Sequence, residues 1–127
     1  MKKGIIKFIF LFIILSYLNI FAIVPQDKGY LAYADQMPEP IGGLTEIYKG
    51  IEYPEAALQN GIEGKVYVLA FINEEGTVDD VKIVKGIGGG CDEAAVKAVK
   101  KTKFIPALNE GKNTKIKMAL QIKFELK

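Results

Sequence analysis

Histidine and arginine are both missing from this chain, and cysteine occurs once, as Cys91. Without histidine there is no histidine-based catalytic triad, no histidine-ligated zinc cluster and no imidazole pH switch. Without arginine the preferred residue for bidentate contacts to bases and phosphates is gone. A lone cysteine excludes an internal disulfide. No cysteine follows the apolar run near the start of the chain, so the lipid-attachment motif of exported lipoproteins is also lacking.

What is present begins with a basic, then apolar, leading segment. Lys2, Lys3 and Lys7 precede Phe8 to Val24, seventeen residues without a charge. A basic start followed by an uncharged run reads as an export signal. Seventeen residues is also the lower limit for a membrane-spanning helix. A cleaved signal peptide and a retained anchor therefore both fit residues 1–24. Residues 25–45 read as a linker and residues 46–127 as one small domain, large enough for a modest core.

Charge is unevenly spread. Residues 25–96 hold 5 lysines and 13 acids, whereas residues 97–127 hold 9 lysines and 2 acids. A basic final third raises the question of nucleic acid. Export and the absence of arginine argue against it, and a solvated strand face with a helix end explains the lysines.

Local patterns set the element order. Gln36 to Pro40, followed by Gly42 and Gly43, prevents regular structure. Leu44 to Lys49 suits a short helix ended by Gly50. Tyr53 to Gly61 suits another, with Pro54 at the first helical position and Gly61 just past the end. Ala57, Leu58 and Tyr53 are its expected core contacts. Lys65 to Asn73 is apolar on both faces, as in a strand central in its sheet. Glu74-Glu75-Gly76 turns the chain, and Thr77 to Lys85 returns as a more polar edge strand, completing a β-hairpin. After the glycine run Gly86 to Gly90, residues Cys91 to Lys101 read as a helix. Asp92 and Glu93 lie in its first turn and Lys97, Lys100 and Lys101 toward its end, matching the helix dipole. Ala95, Val96 and Val99 form its apolar stripe. The fold class is α+β: a small antiparallel three-stranded sheet with two helices packed on one face.

Three candidate sites dissolve on inspection. Gly86, Gly88 and the following helix start match a dinucleotide-binding fingerprint only loosely. The third glycine is replaced by Cys91, and Asp92 and Glu93 sit where a pyrophosphate needs positive potential. Cys91 has no histidine as a base and two acids that oppose its thiolate, so it reads as a small buried residue. Glu74, Glu75, Asp79 and Asp80 lack the ligand spacing of a calcium loop and read as solvating charges. No catalytic constellation, metal site or cofactor site is expected.

The clearest signal is the last. Ile116, Met118, Leu120, Ile122, Phe124 and Leu126 alternate with Lys115, Lys117, Gln121, Lys123, Glu125 and Lys127, and only Ala119 blurs the rule. Period-two alternation marks a strand with one face packed and one wetted. Thirteen residues would span roughly 40 Å at ~3.3 Å each. Such a strand at a sheet edge is a surface for another chain.

Several motifs then resemble a known family. Tyr53-Pro54, Ala57, Gly61 to Val68, Asn73 to Val78, Val81, Lys85 to Ala95, Phe104-Ile105-Pro106 and the closing strand are similar to the TonB C-terminal domain. The glycine-cysteine variant resembles the Bacteroidetes-type form, as does Met37 to Gly43 just upstream. The resemblance covers residues 37–126. It implies a periplasmic, non-enzymatic domain that captures an extended peptide, the TonB box, from an outer-membrane transporter. The peptide would add as a strand beside the last one, by β-augmentation. Carried over, the binding residues are Lys115, Ile116, Lys117, Met118, Ala119, Leu120, Gln121, Ile122, Lys123, Phe124, Glu125 and Leu126.

Two departures bear on the partners. TonB proteins of this kind carry a long proline-rich spacer, whereas the 16 or so residues between Val24 and Ile41 reach roughly 55 Å even when extended at ~3.4 Å each. The family's anchor also has a histidine used in coupling to an inner-membrane motor complex, and this chain has none. A free or short-tethered periplasmic module suits the sequence better than full energy transduction. A second reading pairs the same edge with itself, giving a homodimer.

Overall fold

The structure, a computed structural model, describes residues 29–127; the expectations for residues 1–24 lie outside the described residues. Among the described residues no helix is long and apolar enough to cross a membrane. In chain order the elements are β1 (Glu39–Pro40), α1 (Thr45–Lys49), α2 (Glu55–Gln59), β2 (Gly64–Ile72), β3 (Val78–Lys85), α3 (Cys91–Lys101), β4 (Phe104–Ile105), β5 (Ala107–Asn109), β6 (Lys112–Thr114) and β7 (Ile116–Phe124).

The main sheet has the order β3-β2-β7 and is antiparallel throughout. The expected central strand is central: Val66, Val68, Ala70 and Ile72 are fully buried on the helix side. They meet Cys91, Ala95, Ala98 and Val99 of α3 together with Ile47, Ala57 and Phe104. The alternation in β7 supplies Ile116, Ile122 and Phe124 to the same core, with Met118 and Leu120 packed at its margin. Fully burying one such side chain stabilises the fold by ~1.5–3 kcal/mol. The α+β class with an antiparallel three-stranded sheet and helices on one face is the observed architecture; the helical side has three short helices.

Turn chemistry fixes the hairpin. The side-chain oxygen of Asn73 accepts the N–H groups of Glu75 at 2.9 Å and Thr77 at 3.1 Å. Gly76 has φ +81°, and a Cβ there would lie 1.8 Å from the carbonyl oxygen of Phe104, so only glycine fits. That approach lets the Phe104 N–H donate to the Gly76 carbonyl at 2.9 Å, tying β4 to the hairpin end.

Some details differ from the sequence reading. Pro54 precedes α2 rather than starting it: its ψ of 138° is extended, and the helix begins at Glu55. Leu58 is half exposed, whereas Ala57 is buried. A helix of five residues has too narrow a contact for both. Tyr53 turns edge-on to Phe124, with ring centroids 5.5 Å apart, and its hydroxyl donates to the Ile62 carbonyl. The last strand pairs over nine residues, not thirteen. Its ladder partner β2 is itself only nine residues long, so pairing stops with Gly64 opposite Phe124. Beyond that point the Leu126 N–H is held instead by the carboxylate of Glu63 at 2.7 Å.

The described part of residues 25–45 has little regular structure, yet it is held down along its length. Ala34 is buried. Gln36 exchanges two backbone hydrogen bonds with Leu108, at 2.9 and 3.0 Å. Glu39 and Pro40 pair with Ile105 and Phe104.

Candidate functional site

The sheet has two outer strands, β3 and β7, and the residues singled out in the sequence lie on the second. β7 pairs with β2 from Ile116–Ile72 to Phe124–Gly64 without a register shift. In an antiparallel pair, alternate residues turn their N–H and C=O groups toward or away from the partner strand. The parity here is fixed by what meets the outer side. Leu31 donates its N–H to the Lys115 carbonyl at 3.0 Å and accepts the Lys117 N–H at 2.9 Å, forming a parallel bridge opposite Ile116. The Lys123 N–H donates to the hydroxyl of Tyr48 on α1 at 3.2 Å. Odd-numbered residues therefore point outward, and even-numbered ones bind β2.

Between these two contacts lie Ala119 and Gln121. Their outward N–H and C=O groups have no partner among the described residues. Both residues are exposed. The structure thus divides the twelve candidate residues. Ile116, Met118, Leu120, Ile122 and Phe124 turn inward and build the core. Lys115, Lys117 and Lys123 flank the window, each with one outward backbone group engaged: the Lys115 carbonyl, the Lys117 N–H and the Lys123 N–H. Glu125 and Leu126 lie past the ladder, Glu125 being 3.3 Å from Lys123 in an exposed ion pair.

The sheet face away from the helices adjoins this window. The register places Tyr67 beside Gln121, Leu69 beside Ala119, Phe71 beside Lys117 and Lys65 beside Lys123. On the other side of β2, Lys85 lies by Tyr67 and Lys82 by Leu69. A low apolar strip thereby has lysines along most of its margin and Asp80 beside Phe71, a surface on balance suited to an acidic partner. Phe71 alone in this strip is buried, at 3% exposure. Its cover is Tyr30, edge-on at 5.2 Å between ring centroids, and the Lys82 ammonium at 5.1 Å.

Tyr30 also donates its hydroxyl to Asp79 at 2.5 Å. That bond, then burial, pushes the phenol up to about 12. Asp79 further accepts from the Asn73 side-chain amide at 2.8 Å. It is therefore not a purely solvating charge, as the sequence suggested. No local pattern signals this, because Tyr30 is 49 residues away. Leu31 and Tyr48 were missed for the same reason.

The discounted sites also have explanations. Asp92 accepts the N–H groups of Ile87 at 2.8 Å and Gly88 at 3.3 Å, so a carboxylate of the chain itself fills the glycine loop. Cys91 is fully buried, and burial, followed by Asp92 and Glu93, raises its thiol pKa. Such a thiol is a packing group rather than a nucleophile. Among the described residues no three histidine, cysteine or acidic side chains converge on a metal-sized site. A groove of about 460 Å³ opens beside β3, lined by Ile83, Val96, Lys97, Lys100 and Lys101 with Asp92 and Glu93, and lies away from the β7 edge.

The family profile for the Gram-negative bacterial TonB protein C-terminal matches residues 49–126, the stretch that holds this sheet. The chain belongs to the TonB C-terminal family. A curated relative, Protein tonB2 of Pseudomonas aeruginosa, is 34% identical over 76 residues, covering 59% of this chain. The chain spans only 28% of that relative's length. Among solved structures, the solution structure of the Pseudomonas aeruginosa TonB CTD is similar at a TM-score of 0.51 and 28% identity, over 60% of this chain and 78% of that one. The Helicobacter pylori TonB-CTD is 30% identical over 61% of this chain and 85% of that one, with a TM-score of 0.44. The TonB family transduces energy for transport and is not a family of enzymes, and its members interact with outer-membrane transporters.

Proposed function

We propose that this chain is a periplasmic TonB-like module that captures an extended segment, the TonB box, of an outer-membrane transporter on the outer edge of β7, in support of energy-dependent transport. The observation that carries the reading is the regular β2–β7 ladder with Ala119 and Gln121 left open on its outer side. A strand laid there gains backbone hydrogen bonds, and its side chains meet Tyr67, Leu69 and the surrounding lysines.

Magnitudes show that the backbone alone is not enough. Four hydrogen bonds at a net ~1 kcal/mol each do not exceed the ~4–15 kcal/mol cost of association. The remainder has to come from side chains on the open face. The lysine margin favours acidic residues in the captured segment, and the apolar strip favours aliphatic ones. Coupling to an inner-membrane motor would run through an anchor at residues 8–24, outside the described residues.

Self-pairing through the same edge is disfavoured. An antiparallel dimer centred on the open window would set Lys117 of one copy across from Lys123 of the second. Like charges directly opposite one another destabilise a strand pair.

The test is a titration of the isotope-labelled full chain with a synthetic TonB-box peptide. Amide shifts should be largest at Ala119 and Gln121. An unchanged spectrum along Lys115–Leu126 at saturating peptide would overturn the reading.

A further inference from the structure

We propose that Tyr30–Leu31 is a resident strand that competes with the partner for the start of the β7 edge. The inference rests on the docking reading above and adds a regulation to it. Leu31 already makes both hydrogen bonds of a strand bridge on the outer side of β7, at 3.0 and 2.9 Å. A peptide that pairs with Ala119 and Gln121 leaves this bridge intact. A peptide whose pairing extends back to Lys117 has to displace it, because a backbone N–H or C=O aimed outward serves one strand at a time.

The way the segment is held suits displacement. Leu31 is 40% exposed and Tyr33 75% exposed, so neither is locked into the core. Ala32 is exposed as well. The buried Ala34, the Gln36–Leu108 bridge and the β1–β4 pairing fix the chain immediately downstream. Release of residues 30–33 therefore leaves the anchor points of the domain in place. Among the described residues the hold on the strand comes from the two backbone bonds, the covered part of Leu31 and Tyr30. The Tyr30 ring lies edge-on to Phe71, its hydroxyl is on Asp79, and the Lys115 ammonium is 5.5 Å from its centroid.

Displacement also changes what the edge offers. Lifting Tyr30 uncovers Phe71, which is otherwise 3% exposed. The partner then meets a longer edge and a vacated apolar seat. The edge accordingly has a short register with the resident strand in place and a longer one without it. Apparent affinity in the longer register is the intrinsic affinity reduced by the fraction of molecules in which the strand is released.

The experiment compares the full-length protein with its Tyr30→Ala and Leu31→Pro variants. The first removes the side-chain hold. The second removes the N–H that binds Lys115. The probe is the same synthetic TonB-box peptide, with amide exchange at Lys117 as a direct report on the bridge. In both variants Lys117 exchange should accelerate. Peptide affinity should tighten by roughly tenfold, about 1.4 kcal/mol. The shifted amides should extend from Ala119 and Gln121 to Lys117. Tyr30→Phe, which loses only the bond to Asp79, should tighten binding by a smaller factor. Equal affinity in all proteins despite faster Lys117 exchange would overturn the competition and leave the docking reading standing. A peptide that binds none of them overturns the docking reading, and the competition with it.

Discussion

The two outer strands of the sheet are used in opposite ways. The β3 side is gripped at its hairpin end. Phe104 binds Gly76, Lys103 reaches the Thr77 hydroxyl, Asn113 reaches the Glu74 carbonyl and Tyr30 reaches Asp79. Its register against β2 also shifts twice, between Tyr67 and Val68 and between Phe71 and Ile72. Such irregularities spoil an edge as a template for another strand. The β7 ladder has no shift, and on its outer side Leu31 and Tyr48 bind the backbone at the two ends. A small domain with two sheet edges risks pairing at both. Here the β3 edge is irregular and its turn is tied to the rest of the domain, and the β7 edge is regular and open over two residues.

Three sets of substitutions break this contrast, in descending size. The largest effects come from proline in β7. Leu120→Pro removes an N–H that binds β2 and should lower stability by ~3 kcal/mol or more. Gln121→Pro removes an N–H that points outward, which an edge strand tolerates. Denaturant unfolding should separate the two sharply, while peptide affinity in Gln121→Pro falls by roughly tenfold or more. If Gln121→Pro unfolds the domain as Leu120→Pro does, the assigned parity of the edge is wrong. Next is Gly76→Ala, on the gripped side. Its Cβ cannot coexist with the Phe104 carbonyl 1.8 Å away, and the cost should be ~3 kcal/mol in stability. Peptide affinity of the fraction that remains folded should not change. The third is charge reversal of the lysine margin. Lys65→Glu with Lys123→Glu should slow association of an acidic peptide by a few-fold at low salt, and the difference should vanish near ~1 M salt, where screening length is ~3 Å.

The sequence made the gripped and open strands legible to different degrees. Alternation identified the buried face of β7, and the glycine at Gly76 identified the hairpin, because both signals are carried by consecutive residues. The family motifs reached further and indicated the last strand as the docking edge. Local patterns could not show that the edge is fenced. Leu31, Tyr48 and Asp79 act through contacts between residues far apart in the chain: Tyr48 is 75 residues from Lys123, and Tyr30 is 49 from Asp79. None of them carries a spacing that marks it. Leu58 failed for a related reason. Helical periodicity puts it beside Ala57, yet α2 presents only one narrow stripe to the core, and Ala57 takes it.

The smallest effect probes the latch between the two edges, since Tyr30 spans from the β7 side to Asp79 on β3. A phenol hydrogen-bonded to a carboxylate ionises late, and here the Tyr30 value is pushed up to about 12. An unfolded tyrosine ionises near ~10. Because the folded value is the higher one, the latch contributes fully below pH ~10 and is lost as pH rises through about 12. Tyr53 is also shifted upward, chiefly by burial. Phenolate absorbance should therefore show a late step from Tyr30. Asp79→Asn removes the carboxylate that holds the Tyr30 proton and should return that late step toward ~10, leaving Tyr53 where it was. The same substitution should quicken amide exchange at Lys117, because the strand that covers it has lost its hold on the opposite edge. An alkaline titration unchanged by Asp79→Asn would show that the bond to Asp79 does not hold Tyr30 in place.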